Sequence, residues 1–125
     1  MKNRRDENEP SILAVFNAAG WFWQSCDRMQ GHDGNAYGRG NAFEVEIKMP
    51  GKKLTPREED FARDLARVGR RLWVLWSDVE AEWLVNAEYE RIPDRTEYLD
   101  IPPTVYQTRT DTKWVTREQW EKETR

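Results

Sequence analysis

The chain has 125 residues and a formal net charge of −3 at pH 7, so it can form one domain with a single core and has no bulk attraction for nucleic acid. Any nucleic-acid binding would need a local basic patch. One cysteine and one histidine exclude a disulfide framework and a structural zinc site of the usual Cys/His kind. With no long apolar run and no signal-peptide pattern, we expect a soluble, intracellular protein of the cytoplasm without a membrane partner.

The first third of the chain contains weak signals for regular structure. Residues 1–10 are polar and charged, which predicts a frayed or disordered arm. Residues 12–16 form a short apolar run that fits either a buried strand or one turn of helix. Residues 21–26 are aromatic and predict a strand, with Trp21 and Trp23 in the core or, alternatively, on a base-stacking platform.

Residues 31–41 contain four glycines and two asparagines, which predicts a loop or a tight hairpin. This segment includes Asp33 and the single histidine, His32. We interpret His32 as an ordinary loop residue because no neighbouring residue marks it as a base or a ligand.

The next segment, residues 43–48, alternates between apolar and charged side chains and predicts a half-buried strand. Its charged positions are Glu44, Glu46 and Lys48, which must share one face of that strand. A Pro-Gly turn follows, and Thr55 with Glu58 then forms a capping box around a proline at the first helical position.

That capping box begins the clearest predicted helix, which spans residues 56–68 and ends at Gly69. Its apolar stripe consists of Phe61, Leu65 and Val68. Glu59 can pair with Arg63 on the other side. That side also gathers Arg67 and Arg70, either as a solvated face or as a phosphate-contacting one.

Downstream, residues 71–76 predict a central strand, and Ser77 with Asp78 predicts the start of a short helix that ends at Val85. Residues 104–109 have extended character, and a last helix is predicted over residues 116–123 from the capping pair Thr116 and Gln119. Trp114 and Trp120 could anchor this tail. The predicted fold class is α+β, with a small mixed β-sheet and flanking helices.

The charged face of the 43–48 strand could form a metal site. Magnesium ions prefer oxygen ligands and usually take one or two carboxylates together with substrate phosphate. Asp33 and Glu46 could supply the carboxylates, and the main-chain oxygen of Ile47 could be a third ligand. Lys48 points the same way as Glu46 and could orient or deprotonate a water and stabilise negative charge on a phosphate.

The motif formed by Asp33, Glu46-Ile47-Lys48 and the later Leu54-Thr55-Pro56 resembles the PD-(D/E)XK nuclease superfamily. It is most similar to the VRR-NUC group, whose small stand-alone members occur in phages and bacteria. Gly69 with the apolar residues 72–75, and the upstream segment 15–20, fit the same pattern. The resemblance implies a restriction-endonuclease-like core over residues 11–90, with residues 91–125 as an extension that packs on the core or on a dimer partner.

The resemblance also implies a function, namely metal-dependent endonucleolytic hydrolysis of branched or duplex DNA by a homodimer. Asp33, Glu46 and Lys48 would be catalytic, with Asp33, Glu46 and the Ile47 carbonyl holding Mg²⁺ or Mn²⁺. Phosphate contacts would come from five basic side chains, which are Lys52, Lys53, Arg63, Arg67 and Arg70.

The sequence departs from the group's pattern in four places. No apolar strand directly follows Asp33, which leaves Asp27 as the alternative ligand. A glutamine early in the helix is replaced by Glu58, which could be an accessory residue. Glu44 is an additional acid that is either a further ligand or a neighbour. A full leading helix is missing from the pattern, so its acidic residue could only be Glu7 or Glu9 in an ordered arm.

Two other functional classes fit the same residues. The first is a catalytically silent module on the nuclease fold that binds a host nuclease, replication or defence protein. The second is an α+β interaction protein whose Glu-x-Lys is incidental. Metal binding separates them from the nuclease, because only the nuclease should bind Mn²⁺ in a way that Glu46→Ala abolishes.

Overall fold

A four-stranded mixed sheet with helices on both faces forms the centre of the fold. The structure, a computed structural model, describes residues 6–27, 31–100, 105–107 and 114–123. The helices are α1 (Glu9–Ala18), α2 (Pro56–Arg67), α3 (Asp78–Val85) and α4 (Arg117–Glu123), with a 3-10 turn at Tyr89–Arg91. The strands are β1 (Phe22–Ser25), β2 (Gly34–Gly38), β3 (Asn41–Ile47), β4 (Leu72–Leu75), β5 (Val105–Gln107) and β6 (Trp114–Thr116). The predicted α+β class with a small mixed sheet is confirmed.

The strands of the main sheet lie in chain order, β1-β2-β3-β4. The first three are antiparallel neighbours, and β4 runs parallel to β3 with Glu46 opposite Val74. A parallel neighbour needs a crossover connection, and α2 provides it. The carboxyl ends of β3 and β4 therefore meet at one edge of the sheet.

The alternation predicted for β3 is confirmed, because its apolar positions Phe43, Val45 and Ile47 are all buried. They pack against α1 and α3 in the larger core cluster. The other face of β3 turns toward α2, which packs through Ala62 and Leu65 on β4. The charged residues of β3 therefore lie between two layers rather than on an open surface.

The leading helix that the sequence pattern lacked is present as α1, so that expectation was wrong. It begins at Glu9, inside the predicted frayed arm, with a proline in its first turn. Ile12 and Phe16 are fully buried at helical i, i+4 spacing, which is why the 12–16 run is helical rather than a strand. Residues 1–5 lie outside the described residues.

Strand β2 occupies part of the glycine-rich segment for which the sequence predicts a loop or tight hairpin. The indoles of Trp23 and Trp21 cover Gly34 and Gly38, and a Cβ atom at either glycine would collide with the ring. Glycine is therefore required because a neighbouring group packs so closely on the backbone. Both indoles also pack on the core and stack with Phe16, which confirms the core interpretation of these tryptophans.

The capping box predicted for α2 is confirmed, with the Thr55 hydroxyl accepting from the Glu58 amide and the Glu58 side chain accepting from the Thr55 amide. The predicted burial of Val68 was wrong, since its side chain is 71 % exposed. Val68 is the C-cap rather than a helical residue, and Gly69 follows it with a φ of +79°, which reverses the chain direction.

Strand β4 is at an edge of the sheet, not at its centre as predicted. Helices cover both of its faces, which accounts for its continuous apolar sequence. The guanidinium of Arg95 donates to the Val74 carbonyl at 2.9 Å and so shields this edge. The short helix predicted to follow is confirmed as α3, whose N-cap Ser77 accepts from the Glu80 amide at 3.3 Å.

The segment after α3 returns to the core, where Ile92 and Leu99 are buried. The last predicted helix is confirmed as α4 and the extended stretch as β5, which pairs with β6. The side chains of Trp114, Gln119 and Trp120 lie outside the described residues, so the capping pair, the anchoring role and the homodimer stay predictions. Within the described ranges, none of the helices is long and apolar enough to cross a membrane.

Candidate active site

A polar pocket of about 160 Å³ lies at the carboxyl ends of β3 and β4, between α1 and α2. Its lining residues are Asp6, Glu9, Asp33, Glu46, Ile47, Lys48 and Glu58. The structure therefore brings together the three predicted catalytic residues, Asp33, Glu46 and Lys48. Five carboxyl groups share the pocket with one ammonium group, so negative charge is concentrated there.

Glu46 is the most buried acid of the pocket, with only 3 % of its surface exposed. Burial raises the pKa of Glu46 from its ordinary value to about 10, and the carboxyls of Asp33 and Glu58 act in the same direction by charge and hydrogen bonding. Glu46 therefore keeps a proton at neutral pH when no cation neutralises its neighbours. A bound cation would neutralise the neighbouring carboxylates and so favour loss of the proton from Glu46.

Asp33 is held against the end of β3 by two main-chain contacts. Its Oδ2 accepts a hydrogen bond from the Ile47 amide at 2.7 Å, and its own amide donates to the Val45 carbonyl at 3.2 Å. These contacts keep the carboxylate beside Glu46. The alternative ligand, Asp27, is exposed and does not line the pocket, while a strand does follow Asp33 directly.

Lys48 lies between two glutamates, with its Nζ 2.7 Å from Glu58 Oε1 and 3.9 Å from Glu46 Oε2. Burial opposes the charged form most strongly, but the hydrogen bond to Glu58 and the negative charges around Lys48 together outweigh it and raise the pKa of the ammonium above its ordinary value. Lys48 is therefore a fixed positive charge at neutral pH. It can orient a water or stabilise an anion.

The position of Glu58 follows from the way in which α2 begins. The same Oε1 that contacts Lys48 accepts the Thr55 amide at 2.8 Å as half of the capping box. Burial alone would raise the pKa of Glu58, yet the hydrogen bonds from Lys48 and Thr55 lower it overall. The predicted accessory residue thus anchors Lys48 in a defined place.

The sequence offered Glu9 as a site acid only on condition that the arm is ordered, and it predicted neither α1 nor the role of Asn8. Glu9, at the start of α1, is buried and lines the pocket together with Asp6. The Asn8 amide group donates to the main-chain oxygens of Lys48 and Trp76, at 2.9 and 2.8 Å, and so clamps α1 to the ends of β3 and β4. The sequence signals for this helix are Pro10 in its first turn and the apolar pair Ile12 and Phe16 at i, i+4 spacing.

The donor set fits a hard divalent cation. Within the described residues, no group of three or more His, Cys, Asp or Glu side chains is arranged to hold a metal ion. Asp33 and Glu46 nevertheless present two carboxyls in one pocket with the Ile47 main chain beside them. Magnesium commonly uses one or two protein carboxylates and completes its shell with water and phosphate, so this smaller set is sufficient.

The other predicted site residues lie outside the pocket. Glu44 forms a bidentate ion pair with Arg70 and is a neighbour of the site. Arg63 and Arg67 pair with acids one turn earlier on α2, at 3.1 and 3.2 Å, and not with Glu59 as predicted for Arg63. Glu7, Lys52 and Lys53 are exposed, and the two lysines line a neighbouring pocket.

His32 stacks on Phe61 of α2 with ring centroids 4.5 Å apart, and its Nε2 lies 2.7 Å from the Asn35 side-chain oxygen. These contacts tie the loop before β2 to α2. They hold Asp33, the next residue, at the pocket.

Comparisons of this chain with protein-family models, with curated proteins and with solved structures found no match. The structure itself shows a small α+β domain with an acidic pocket at the carboxyl ends of two parallel strands.

Proposed function

We propose that this chain is a metal-dependent DNA endonuclease that hydrolyses phosphodiester bonds in branched or duplex DNA. The observation that carries this proposal is the convergence of Asp33, Glu46 and Lys48 in one polar pocket. These are the residues that the resemblance to the VRR-NUC group selects from the sequence. The small mixed sheet with flanking helices, which the resemblance implies, also supports the proposal.

The chemistry of the pocket supports different roles for its acidic residues and for Lys48. Asp33 and Glu46, with the Ile47 carbonyl, would hold Mg²⁺ or Mn²⁺. When bound, the ion would neutralise charge on the phosphate and make a water more acidic. Lys48 carries a fixed positive charge, held by Glu58, and would position the attacking water and stabilise the negative charge that develops on the phosphate.

Phosphate contacts outside the pocket would come first from Lys52 and Lys53, which follow the turn after β3 and are exposed. The three arginines predicted to contact DNA are each paired with an acid, so a phosphate would have to displace that acid. We therefore expect substitution of both lysines to weaken DNA binding more than substitution of Arg63 and Arg67. Such contacts set position on the DNA without reading bases.

A cleavage assay tests this proposal directly. Labelled duplex, nicked, flapped, four-way and single-stranded DNA would be incubated with Mg²⁺ or Mn²⁺ and wild-type protein, Glu46→Gln or Lys48→Ala. Glu44→Gln is the matched control, because Glu44 shares the strand face of Glu46 but lies outside the pocket. We expect cleavage by the wild type and Glu44→Gln, and a loss of at least about a hundredfold in the two site variants. Cleavage that persists in both site variants would refute the site.

Metal binding gives an independent measurement. Titration of Mn²⁺ by calorimetry should show binding to the wild type and to Glu44→Gln, with binding lost or greatly weakened in Glu46→Gln. Equal Mn²⁺ binding by Glu46→Gln would mean that the ion binds elsewhere.

A second candidate function is the catalytically silent binding module, and one observation favours it. Among the described residues no set of three acidic or other ligating side chains is ready to hold a metal. A folded wild-type protein that neither binds Mn²⁺ nor cuts any DNA of the panel would refute the nuclease and favour this candidate.

A further inference from the structure

A second, less polar pocket of about 530 Å³ opens beside the acidic one. Its lining residues are Gly51, Lys52, Lys53, Leu54, Glu59, Val74, Trp76, Arg95 and Tyr98. We call it the aromatic pocket, since Trp76 and Tyr98 are its two large rings. Its volume lies in the range of about 300–1,000 Å³ that is usual for small-molecule sites.

The register of the parallel strands places the aromatic pocket next to Lys48. Glu46 lies opposite Val74, and the Lys48 amide continues the ladder by donating to the Leu75 carbonyl at 3.1 Å. Two residues beyond Glu46 and Val74, on the same face, come Lys48 and Trp76. The Asn8 side chain donates to the carbonyl oxygens of both Lys48 and Trp76, so the backbones of these two residues lie side by side where β3 and β4 end.

Lys52 connects the two pockets. It lines the aromatic pocket, and its charge acts on Asp6, which lines the acidic pocket. Lys52 could therefore contact a phosphate that neighbours the one at Lys48.

The walls of the aromatic pocket are fixed in place. The guanidinium of Arg95 lies 3.7 Å from the centroid of the Trp76 ring and forms two hydrogen bonds with Glu80, at 2.6 and 2.7 Å. The Tyr98 hydroxyl donates to Glu59 on α2 at 2.7 Å. Leu99, next in the chain, is buried against α2 and β4. The rings are thus held before any ligand arrives, which lowers the entropic cost of binding.

The chemistry of this lining selects its occupant. Flat aromatic and aliphatic surfaces suit a planar, poorly hydrated group, while Lys52 and Lys53 suit an anion attached to that group. A nucleobase with its phosphate has both parts, and stacking tolerates any base because every base has a π-face.

We propose that the aromatic pocket binds one unstacked base of the DNA, on the strand whose phosphate lies at Lys48. This inference rests on the proposed nuclease function and narrows its substrate. The strand must present at least one unpaired base beside the phosphate that is cleaved. Continuous duplex would have to extrude a base first, at a cost that a branch or a single strand avoids.

Metal-free DNA binding tests the inference without relying on cleavage. Fluorescence anisotropy would compare a single-stranded oligonucleotide with an abasic oligonucleotide of the same length and charge, in EDTA. The wild type should bind the strand with bases about tenfold more tightly. Tyr98→Ala should bind both alike, whereas Tyr98→Phe keeps the ring and should keep the preference. Phe22→Ala removes a comparably exposed ring on β1 and is the matched control.

The outcomes separate the two proposals. Equal affinity of the wild type for both oligonucleotides, or a preference that survives in folded Tyr98→Ala, would overturn the aromatic pocket as a base site. If metal-dependent cleavage is nevertheless observed, the nuclease proposal stands alone. A base preference that depends on Tyr98 in a wild type that cuts nothing would support the base site and refute the nuclease.

Discussion

Two glutamates of this domain are buried to a similar degree, Glu46 with 3 % and Glu80 with 8 % of its surface exposed, but their surroundings differ. Glu80 accepts two hydrogen bonds from Arg95, at 2.6 and 2.7 Å, and a third from the Trp76 amide at 2.8 Å. Arg95 therefore neutralises the charge of Glu80, and both carboxylate oxygens accept hydrogen bonds from the protein.

Among the described residues, no arginine lines the pocket of Glu46. Its neighbours are Asp33 and Glu58, and the ammonium of Lys48 lies closer to Glu58 than to Glu46. A buried carboxyl among other carboxyls destabilises the fold unless a cation or a proton joins it. Glu80 thus serves the structure, whereas a buried acid with a strongly raised pKa, such as Glu46, is a candidate for a functional role.

The largest effect is expected at the matched glutamate. Glu80→Ala would leave the Arg95 guanidinium buried without its acid and the Trp76 amide without its acceptor. We expect a loss of about 3–5 kcal/mol in the free energy of unfolding, measured by urea denaturation. Glu88→Ala, which breaks the exposed pair with Arg91, is the control and should change stability by less than about 1 kcal/mol. Equal effects in the two variants would show that Glu80 is not a structural anchor.

The opposite sign is expected at Glu46. Because the folded-state pKa of Glu46 is raised to about 10, its contribution to stability is present below its ordinary pKa and is lost as pH rises toward 10. Metal-free wild type should therefore lose up to about 4 kcal/mol between pH 5 and pH 8, at about 1.4 kcal/mol per pH unit. Glu46→Gln lacks this titration and should be more stable than the wild type at pH 8. A wild type whose stability does not fall in this window would show that Glu46 is not destabilising.

A smaller effect is expected where α2 and the acidic pocket meet. Thr55→Ala removes the hydroxyl that caps the helix and should cost about 1 kcal/mol in thermal or urea unfolding. Thr55→Ser keeps a capping hydroxyl and should stay within a few tenths of a kcal/mol of the wild type. If Ala and Ser variants are equally stable, the capping box contributes nothing measurable.

The smallest effect is expected at the other acid of β3. Glu44→Gln weakens an ion pair whose arginine side chain is 46 % exposed, so we expect less than about 1 kcal/mol in stability. Raising the salt concentration should reduce the difference further. A loss as large as that of Glu80→Ala would place Glu44 in the structural class instead.

Strand β3 and helix α2 could be predicted because their signals are local. Alternation over residues 43–48 and a capping box need no knowledge of the rest of the chain. Strand β2 and helix α1 could not be predicted in the same way. The glycines of β2 are explained only by tryptophans that lie against them, and α1 is stabilised mainly by packing of Ile12 and Phe16.

The residues of the candidate site also differ in whether a local sequence pattern predicts them. Glu46 and Lys48 follow from the period of one strand, and Glu58 follows from one capping box. Asn8 does not, because its two hydrogen bonds reach 40 and 68 residues along the chain. Glu9, the next residue, lines the pocket on the same helix. A pattern within a window cannot report contacts at such separations.

The indoles that cover Gly34 and Gly38 also restrict which substitutions the protein can tolerate at these two positions. A glycine-rich segment usually accepts substitutions freely, and a change from glycine to alanine is among the mildest. Here either change would place a methyl group inside a tryptophan ring. In a saturation library these two positions should be among the least tolerant of the chain. At Gly51 an added methyl group would meet no atom within 4 Å, so only its φ of +84° limits substitution there. Selection against substitution should therefore be strong at Gly34 and Gly38, although glycine has no side chain.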